Sequence, residues 1–394
     1  MPEIAILYDR SETDELGIKL TAEEMGIKLG YIPFHKVSFR FGRTGFNYRS
    51  LGRKLTGDLT AIQVVLNRAQ SKNRRLYAAM ILEALGKHLV NPYSVESICA
   101  SKVRCLLAFH GKGIRTPVTV YVPCNVKEVR PGGGFVDNTR EVAQLIEDQL
   151  GYGGVVLKVD GGTHGKGVSL VEGRAELEAA LGEVTPSVIN PSGVVAQELV
   201  PKWFYDLRIV VSKDRGHAFA CAPTAMARGG FKDFRTNTYL GNMVFRVTLP
   251  EAVRREAVRA GEALSPGAEV GVIALDAMPY IEDTSAYNER VLRSMFDVLE
   301  EPFRRVMKAK DDPLKKTAFR DYSRRVEEAY GTFMSSEPYL GVQAVIQDSL
   351  DRNAGSLVFH EGNSCPDFWE QTRIVGGINV GDLLLRSAVS LLDN

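Results

Sequence analysis

The sequence predicts an α/β protein of two or three packed domains, the first with a parallel sheet covered by helices. Three observations lead to this prediction. The chain has 394 residues, too many for one compact core of ordinary size. Strand and helix signals alternate at the start of the chain, which is the pattern of a parallel sheet with helices on both faces. With 44% hydrophobic and 25% charged residues, the composition is that of a globular protein in water.

The elements of the first unit follow in order from the N-terminus. Apolar runs predict strands over residues 4–7, 27–32 and 61–66, and helical spacing predicts helices over residues 15–25 and 76–85. This unit is expected to end near Asn91-Pro92, because the residue before a proline is pushed out of the helical conformation. A helix over residues 97–111 and a strand over residues 118–122 then open a second unit.

Two long charged helices are predicted over residues 288–310 and 313–330. Apolar residues recur at helical spacing on one stripe, formed by Val291, Met295, Phe296, Leu299, Phe303 and Val306. The stripe predicts packing against either a second copy of the chain or the wall of a substrate pocket. Residues 341–348 form a further apolar run, which predicts another strand, ending at Asp348.

Charge and cysteine content narrow the functional class. A net charge of +1 argues against a nucleic-acid binder that acts through a general basic field. No apolar run is long enough to predict a membrane span, and the N-terminus lacks the pattern of a secretory signal. The five cysteines are scattered without a CxxC pair, which disfavours a disulfide framework and a zinc site. We therefore expect a cytoplasmic protein without a nucleic-acid or membrane partner.

A glycine-rich segment between two apolar strands carries a chemical signal. The first strand delivers Lys158, and glycines occupy four of the seven loop positions that follow: Gly161, Gly162, Gly165 and Gly167. Glycine lets backbone N–H groups approach phosphates closely, and Lys158 and Lys166 add positive charge. The GxxxxGK[ST] pattern of a Walker A loop is not satisfied. The segment therefore predicts either a phosphate-binding hairpin or a flexible turn without a ligand.

Two apolar strands end in groups suited to a cation. Glu361 and Asn363 lie two residues apart on one of them, so their side chains share a face. A carboxylate beside a carboxamide is a hard oxygen site that suits Mg²⁺ bridging nucleotide phosphates. The other strand ends at Asp276. Each of these residues, taken alone, is also explained as a capping or turn-forming residue.

The order and combination of these segments resemble the ATP-grasp superfamily, and within it the RimK-type ligases that add glutamate or other amino acids to carboxylates. Seven segments carry the resemblance: Ser101-Lys102, Lys158 with the loop 161–168, Gln197-Glu198-Leu199-Val200, Asp206-Leu207-Arg208, Asp233-Phe234-Arg235-Thr236-Asn237, Pro250-Glu251 with the helix that leads into Asp276, and Glu361-Gly362-Asn363-Ser364-Cys365-Pro366. In the family these are the ATP-contacting lysines with a phosphate-covering loop, the adenine hinge, the Asp-x-Arg that follows the hinge, a motif beside the phosphates, the helix before the first metal carboxylate, and the motif that supplies the other two metal ligands. The resemblance covers the whole chain.

The resemblance implies a set of site residues. Those expected to bind the nucleotide are Lys102, Lys158, Gly161, Gly162, Thr163, Gly165, Lys166, Gly167, Gln197, Glu198, Leu199, Val200, Asp206, Arg208 and Asn237. Lys158 and Arg235 are expected to be catalytic. Asp276, Glu361 and Asn363 are expected to hold Mg²⁺. Two ions are expected, and Mn²⁺ is the alternative metal. Because a long insertion precedes the Glu361 motif, Asp348 is the alternative to Asp276 as first metal ligand.

The resemblance also implies an ATP-grasp fold in three parts. These are an N-terminal pre-ATP-grasp domain (residues 1–97), a central subdomain with a glycine-rich lid (residues 98–200), and a C-terminal subdomain (residues 201–394) with a helical insertion over residues 284–336. Relatives with this fold are commonly oligomers of identical chains, which is the expectation here.

The implied activity is ATP-dependent ligation. A small-molecule carboxylate becomes an acyl phosphate and is joined to the amine of an amino acid, with glutamate as one candidate. The alternatives are a small-molecule kinase with the same ATP site and a nucleotide-binding scaffold without activity. Five residues are either carboxylate-binding groups of the acceptor site or ordinary surface residues: Arg68, Asn73, Arg74, Arg75 and Arg373.

Overall fold

Three sheets, formed in turn by residues 4–90, 119–198 and 205–363, organise the fold. The computed structural model describes residues 2–10, 12–43, 45–50, 59–123, 126–129, 132–151, 153–160, 162, 167–183 and 193–392. The mixture of helices and sheets, with a parallel first sheet, confirms the predicted α/β class. Among the described residues, no helix combines the length and the apolar character needed to cross a bilayer.

The first sheet is parallel throughout. Its region contains, in chain order, β1 (Ile4–Tyr8), α1 (Thr13–Glu24), β2 (Leu29–Pro33), β3 (Val37–Gly42), β4 (Gly45–Ser50), β5 (Val64–Arg68), α2 (Lys72–Ala84), β6 (His88–Val90) and α3 (Tyr93–Cys99). The strand order is β2–β1–β5–β6, whereas β3 and β4 pair only with each other as an antiparallel hairpin. Ile4 and Ile6 face one core, and Ala5 and Leu7 face another. This alternation is what a strand buried on both faces requires.

The second sheet is antiparallel, with the order β11–β10–β12–β7. Its region contains α4 (Lys102–His110), β7 (Thr119–Val122), β8 (Lys127–Val129), β9 (Phe135–Asp137), α5 (Thr139–Leu150), β10 (Val155–Lys158), β11 (Val168–Val171), α6 (Arg174–Glu183) and β12 (Val194–Glu198). The helix predicted over residues 97–111 is in fact the end of α3 followed by α4. The two are separate because the Ser101 hydroxyl accepts a hydrogen bond from the Arg104 N–H and begins a new helix at Lys102.

The third sheet is also antiparallel, with the order β16–β15–β13–β17–β18 and a short β14 beside β13. Its region contains β13 (Tyr205–Lys213), β14 (Ala220–Cys221), β15 (Thr224–Gly229), β16 (Met243–Thr248), α7 (Glu251–Leu264), β17 (Gly271–Pro279), α8 (Glu289–Lys310), α9 (Phe319–Met334), α10 (Glu337–Arg352), β18 (Leu357–Asn363) and α11 (Val380–Ser390). The last helix packs back on the first sheet, where Leu384 and Leu385 share a core with Ile4 and Ile6. The domain boundaries after residues 97 and 200 stay predictions.

The insertion consists of three helices and extends past the predicted limit of residue 336. The strand predicted over residues 341–348 is wrong, because α10 occupies them. Its buried residues recur at helical spacing: Tyr339, Val342, Ile346, Ser349 and Leu350. The buried stripe of α8 contains Leu292 where the prediction had Val291, which is 45% exposed.

The insertion packs on the third sheet of its own chain. The side-chain amide of Gln347 donates to the carbonyl of Thr248 at 3.0 Å and accepts from its N–H at 2.8 Å. These bonds satisfy the backbone of the edge strand β16, which otherwise presents unpaired groups. The α8 side chain Phe296 packs against Phe204, Phe231 and Phe245, with ring centroids 5.5 to 5.7 Å apart. The three helices therefore belong to the core of the third sheet.

Candidate active site

A cavity of about 630 Å³ lies where the three sheets meet. Residues from all three regions line it. The predicted site residues found in its wall are Lys102, Lys158, Gly162, Gln197, Glu198, Leu199, Val200, Asp206, Arg208, Arg235, Asn237, Asp276, Glu361 and Asn363. Gly161, Thr163, Gly165 and Lys166 lie outside the described residues. The fold thus brings together side chains that are up to 261 residues apart, from Lys102 to Asn363.

The three predicted metal ligands share one face of the third sheet. Asp276 on β17 pairs directly with Glu361 on β18, and Asn363 pairs with Ala274 on the same face. The register shifts between Asp276 and Ala277, so that His360 becomes an extra residue in β18. Such a bulge re-aims side chains, and His360 lines the cavity beside Glu361.

The charge around Asp276 is set by two arginines. Arg208 donates from Nε and Nη2 to the two carboxylate oxygens, each at 3.0 Å, and Nη2 of Arg228 lies 3.2 Å from Oδ1. Burial opposes ionisation of Asp276, but the arginines outweigh it and hold its pKa well below the usual range. Asp276 is therefore a carboxylate at neutral pH.

Glu361 is held by two lysines. Nζ of Lys102 lies 3.3 Å and Nζ of Lys72 lies 3.8 Å from Oε1. Burial raises the pKa of Glu361, and the two lysines lower it further than burial raises it. The Asn363 side-chain oxygen accepts from the Cys365 N–H at 3.0 Å.

These residues fit a magnesium ion. Two ionised carboxylates and an amide oxygen on one face form a hard oxygen set, and each carboxylate keeps lone pairs beyond its ion pairs. Within the described part of the chain, no cluster of three or more His, Cys, Asp or Glu residues forms a metal cage. A site with two carboxylates suits Mg²⁺ that also binds substrate phosphates. Asp348, the alternative ligand, is an exposed residue of α10 and pairs with Tyr287 and Arg352.

Gly362 is fixed by close packing between the two ligands. A Cβ atom at this position would lie 2.2 Å from Cδ1 of Leu264 on α7. A side chain there would require the Leu264 side chain to move, which favours glycine between Glu361 and Asn363.

Two lysines face the carboxylates from the second sheet. Lys102 is the first residue of α4 and donates from Nζ to the carbonyl of Gly162 at 2.8 Å. Lys158 ends β10, and burial together with neighbouring Lys102 lowers its pKa to about 8. Asp160 accepts from the Ser101 hydroxyl at 3.0 Å and from the Val103 N–H at 2.9 Å. The base of the glycine-rich loop is therefore tied to the start of α4.

Gly167 marks the other side of that loop. Its φ angle is 67°, in the left-handed region that favours glycine, and its carbonyl accepts from the Val159 N–H at 3.2 Å. It closes the loop base and does not belong to the described cavity wall.

The predicted adenine hinge crosses between the second and third sheets. Glu198 ends β12, and its Oε1 accepts from the Val118 N–H at 2.9 Å. Gln197 is 2% exposed and donates from Nε2 to the Thr119 hydroxyl at 2.9 Å. Its Oε1 has no hydrogen-bond partner among the described residues, although it is buried. A buried acceptor of this kind is costly unless a ligand donates to it.

Opposite charges alternate across neighbouring strands of the third sheet. Asp206 pairs in register with Arg228, and Arg208 pairs in register with Asp276. Asp206 accepts from Arg228 Nε at 2.7 Å and Nη2 at 2.9 Å, and also from the Thr236 hydroxyl. Lys202 donates to the same hydroxyl at 3.0 Å. Asp206 thus orients Arg228.

The predicted acceptor-site residues separate into two groups. Arg68 and Arg75 line the cavity but are buried and paired, Arg68 with Asp14 and Glu15 at 3.3 and 3.4 Å and Arg75 with Glu96 at 2.6 Å. The others do not belong to the described cavity wall: Asn73, Arg74 and Arg373. Arg373 instead pairs with Glu327 and stacks on Trp369.

Sequence reasoning missed several groups of the cavity. These are Arg10, Lys72, Lys202, Arg228 and His360. Lys72 is the first residue of α2, next to the arginines already considered, and its position after a buried strand was the available signal. Lys202 and Arg228 carry no motif that separates them from surface cations, and the bulge that turns His360 inward is set by the partner strand.

Comparisons with known proteins give the fold a name. No protein-family model matches the chain. The structure of the RimK-domain ATP-grasp protein from Sphaerobacter thermophilus superposes with a TM-score of 0.52 at 15% identity, over 98% of this chain and 99% of that protein. The VanG D-Ala:D-Ser ligase from Enterococcus faecalis superposes with a TM-score of 0.55 at 12% identity, over 98% of each chain.

This chain has the ATP-grasp fold. A probable alpha-L-glutamate ligase from Picosynechococcus sp. is 29% identical over 187 residues, which is 46% of this chain and 53% of that protein. The chain thus spans about half the length of this curated relative. Together, these likenesses confirm the resemblance to RimK-type ATP-grasp proteins, including the N-terminal parallel sheet that precedes the ATP-grasp part.

Proposed function

We propose that this ATP-grasp protein is an ADP-forming ligase that activates a carboxylate as an acyl phosphate and joins it to the amine of an amino acid. The observation that carries the proposal is the pairing of Asp276 with Glu361 opposite the lysines 102 and 158. A carboxylate pair faced by cations is what a nucleotide polyphosphate with its metal requires. The ligases among the relatives and fold neighbours, and the name of the glutamate ligase in particular, support it.

In this proposal Asp276, Glu361 and Asn363 hold Mg²⁺, which supplies positive charge to the phosphates. Lys102 and Lys158 from the second region, and Arg235, which follows β15 and pairs with Asp233, neutralise phosphate oxygens, so that catalysis rests mainly on positioning and charge. Gln197 accepts a hydrogen bond from the adenine amino group, and the backbone of residues 198–200 completes the hinge. Arg208 and Arg228 keep Asp276 ionised and oriented.

Two bonds are exchanged in sequence. A carboxylate oxygen attacks the γ-phosphorus and forms an acyl phosphate while ADP leaves. The neutral amine then attacks the acyl carbon, the C–O bond to phosphate breaks, and an amide, inorganic phosphate and a proton result. The acyl phosphate reacts readily with water, so the loop 161–167 is proposed as a lid that excludes it.

Phosphate release from ATP and magnesium tests the proposal. The panel contains amino acids, small acids and short acidic peptides, singly and in pairs. The expected result is release only with a carboxylate and an amine together, and a product heavier by one amino acid minus water. Glu361→Ala is expected to abolish release, whereas Asp348→Ala, which removes the exposed carboxylate on α10, is expected to leave it unchanged. Release with one acceptor that keeps a phosphoryl group identifies a kinase instead.

A further inference from the structure

In a long segment of the first region, all aspartate, glutamate, lysine and arginine positions are occupied by lysine or arginine. Residues 25–57 contain no aspartate or glutamate, and their lysines and arginines are Lys28, Lys36, Arg40, Arg43, Arg49, Arg53 and Lys54. The chain as a whole is balanced, with 49 basic and 48 acidic residues. The charge of this segment is therefore a local feature that the net charge conceals.

The hairpin of β3 and β4 sorts these cations onto one face. Phe39 pairs with Tyr48, and both side chains turn inward onto the core that covers α2. Residues Ser38 and Arg40 on β3, and Arg49 on β4 opposite Ser38, therefore point to the other face. Arg40 and Arg49 are diagonal neighbours there, and Arg43 lies in the turn. All three arginines are exposed.

These arginines lack the acidic partners that several exposed arginines of the insertion have. In the part of the chain that the structure describes, Arg40, Arg43 and Arg49 make no ion pair. By contrast Arg304 and Arg324 in the insertion pair with glutamates three and four residues away. Like charges side by side on a two-stranded hairpin disfavour its folding. Hairpin stability therefore does not explain the pattern, whereas a bound polyanion does.

The hairpin leaves the sheet on the side of the cavity. It follows the carboxyl end of β2, and in a parallel sheet all carboxyl ends lie at one edge. Arg10 after β1 and Gln70 after β5 leave from this same edge and line the cavity. The basic face and the candidate active site are thus reached from the same edge of the first sheet.

We propose that the outer face of this hairpin, with Arg40, Arg43 and Arg49, docks an acidic segment of a polypeptide. On the proposed function, on which this part rests, that polypeptide carries the carboxylate that is activated. The planar guanidinium group donates two parallel hydrogen bonds to a carboxylate, so arginine is suited to glutamate and aspartate side chains. Single-stranded nucleic acid is disfavoured, because Phe39 and Tyr48 face the core and cannot stack on bases. The exposed ring of β3, Phe41, lies on the face of Phe39 and not on the face of the arginines.

Fluorescence anisotropy with labelled octaglutamate tests the docking surface without any turnover. The full chain is compared with the triple variant Arg40→Glu, Arg43→Glu, Arg49→Glu. The matched control, Arg304→Glu, Arg305→Glu, Arg324→Glu, makes the same charge change on exposed positions of the insertion. Three exposed ion pairs correspond to about a tenfold change in affinity at low salt, so the hairpin variant is expected to bind about tenfold more weakly and the control within about twofold.

Equal binding by the hairpin variant and the full chain overturns the proposal, as does no binding of octaglutamate at low salt. The proposal is also overturned, in favour of nucleic acid, if the full chain binds octathymidylate more tightly than octaglutamate and the hairpin variant loses this binding. Circular dichroism confirms that each variant is folded. The proposed function can fail on its own. If no pair of a carboxylate and an amine supports ATP cleavage, but octaglutamate still binds in a way that depends on the hairpin, the ligase activity is wrong and the docking surface remains supported.

Discussion

Arg208 and Asp276 lie directly opposite each other on β13 and β17 and join through two parallel hydrogen bonds of 3.0 Å. The guanidinium group of Arg208 thus binds the carboxylate of Asp276 through the two-bond geometry typical of such pairs, in the wall of the cavity. Because Arg228 reaches Asp276 while it pairs with Asp206, two carboxylates and two guanidinium groups form one largely buried charge network. The pair therefore links stability of the third sheet to the proposed metal site.

Asp276→Asn is expected to reduce both activity and stability. Loss of the carboxylate leaves Arg208 without its ion-pair partner in the sheet, whereas Arg228 keeps Asp206; this costs about 3 kcal/mol in free energy of unfolding. ATP turnover is expected to fall about a hundredfold, because the proposed Mg²⁺ site beside the phosphates loses one of its two carboxylates. Urea denaturation and phosphate release measure the two effects. Asp348→Asn is the control, and a similar loss in that variant contradicts the assignment of Asp276.

ATP binding is expected to weaken as pH rises through 8. Lysine binds phosphate in its protonated form, and burial with neighbouring Lys102 lowers the pKa of Lys158 to about 8. Between pH 7 and 9 the protonated fraction in the free enzyme falls about tenfold, and the KM for ATP is expected to rise by a similar factor. Initial rates against ATP at each pH measure the rise. Lys158→Arg keeps its charge over this range and should give a smaller rise, because burial lowers the pKa of Lys202 in the same cavity to about 8 as well. A rise of equal size in this variant assigns the titration to Lys202 or another group.

Gln197→Leu is expected to reduce the preference for ATP over GTP. In the proposed function, the unpartnered Oε1 of Gln197 accepts from the 6-amino group of adenine, whereas guanine presents a carbonyl there. Loss of this bond is expected to raise the KM for ATP about tenfold and to leave that for GTP nearly unchanged. Gln149→Leu, on exposed α5, controls for the change in residue type. Equal increases for both nucleotides argue that Gln197 acts only through Thr119.

The insertion is expected to be indispensable for folding. Phe296 packs among three aromatic rings of the third region, so Phe296→Ala is expected to cost about 3 to 5 kcal/mol. Val298→Ala, two residues along the same helix and 61% exposed, is expected to change stability by less than about 0.5 kcal/mol. Thermal unfolding of the two variants measures the contrast. A small effect at Phe296 indicates that the helices are an appendage.

The sequence was sufficient to predict residues of the cavity where they lie close together along the chain in one motif. Glu361 and Asn363, and the segment around Asp206 and Arg208, were found because each motif is continuous. Cross-strand pairs such as Asp206 with Arg228 were not visible, since strand register decides them. Arg68 and Arg75 were placed near the cavity, but their burial with acidic partners could not be predicted from spacing.

The misassigned segment at residues 341–348 has a physical explanation. A short apolar run rich in valine and isoleucine is compatible with both a buried strand and a buried helical segment. Only its continuation to Tyr339 and Leu350 distinguishes the helical period. Here Pro338 in the first turn and the edge of β16 to be covered favour the helix.

The position of α11 has a consequence for synthesis on the ribosome. Ile4, Ile6, Val64 and Leu66 emerge early, and Ile18 and Ala22 of α1 share their core, yet much of that core comes from residues 368–391. Until then one face of the first sheet is only partly covered, although its strands are complete by residue 90. Because domains are usually completed in the order of translation, this chain departs from the rule: the sheet made first is finished last.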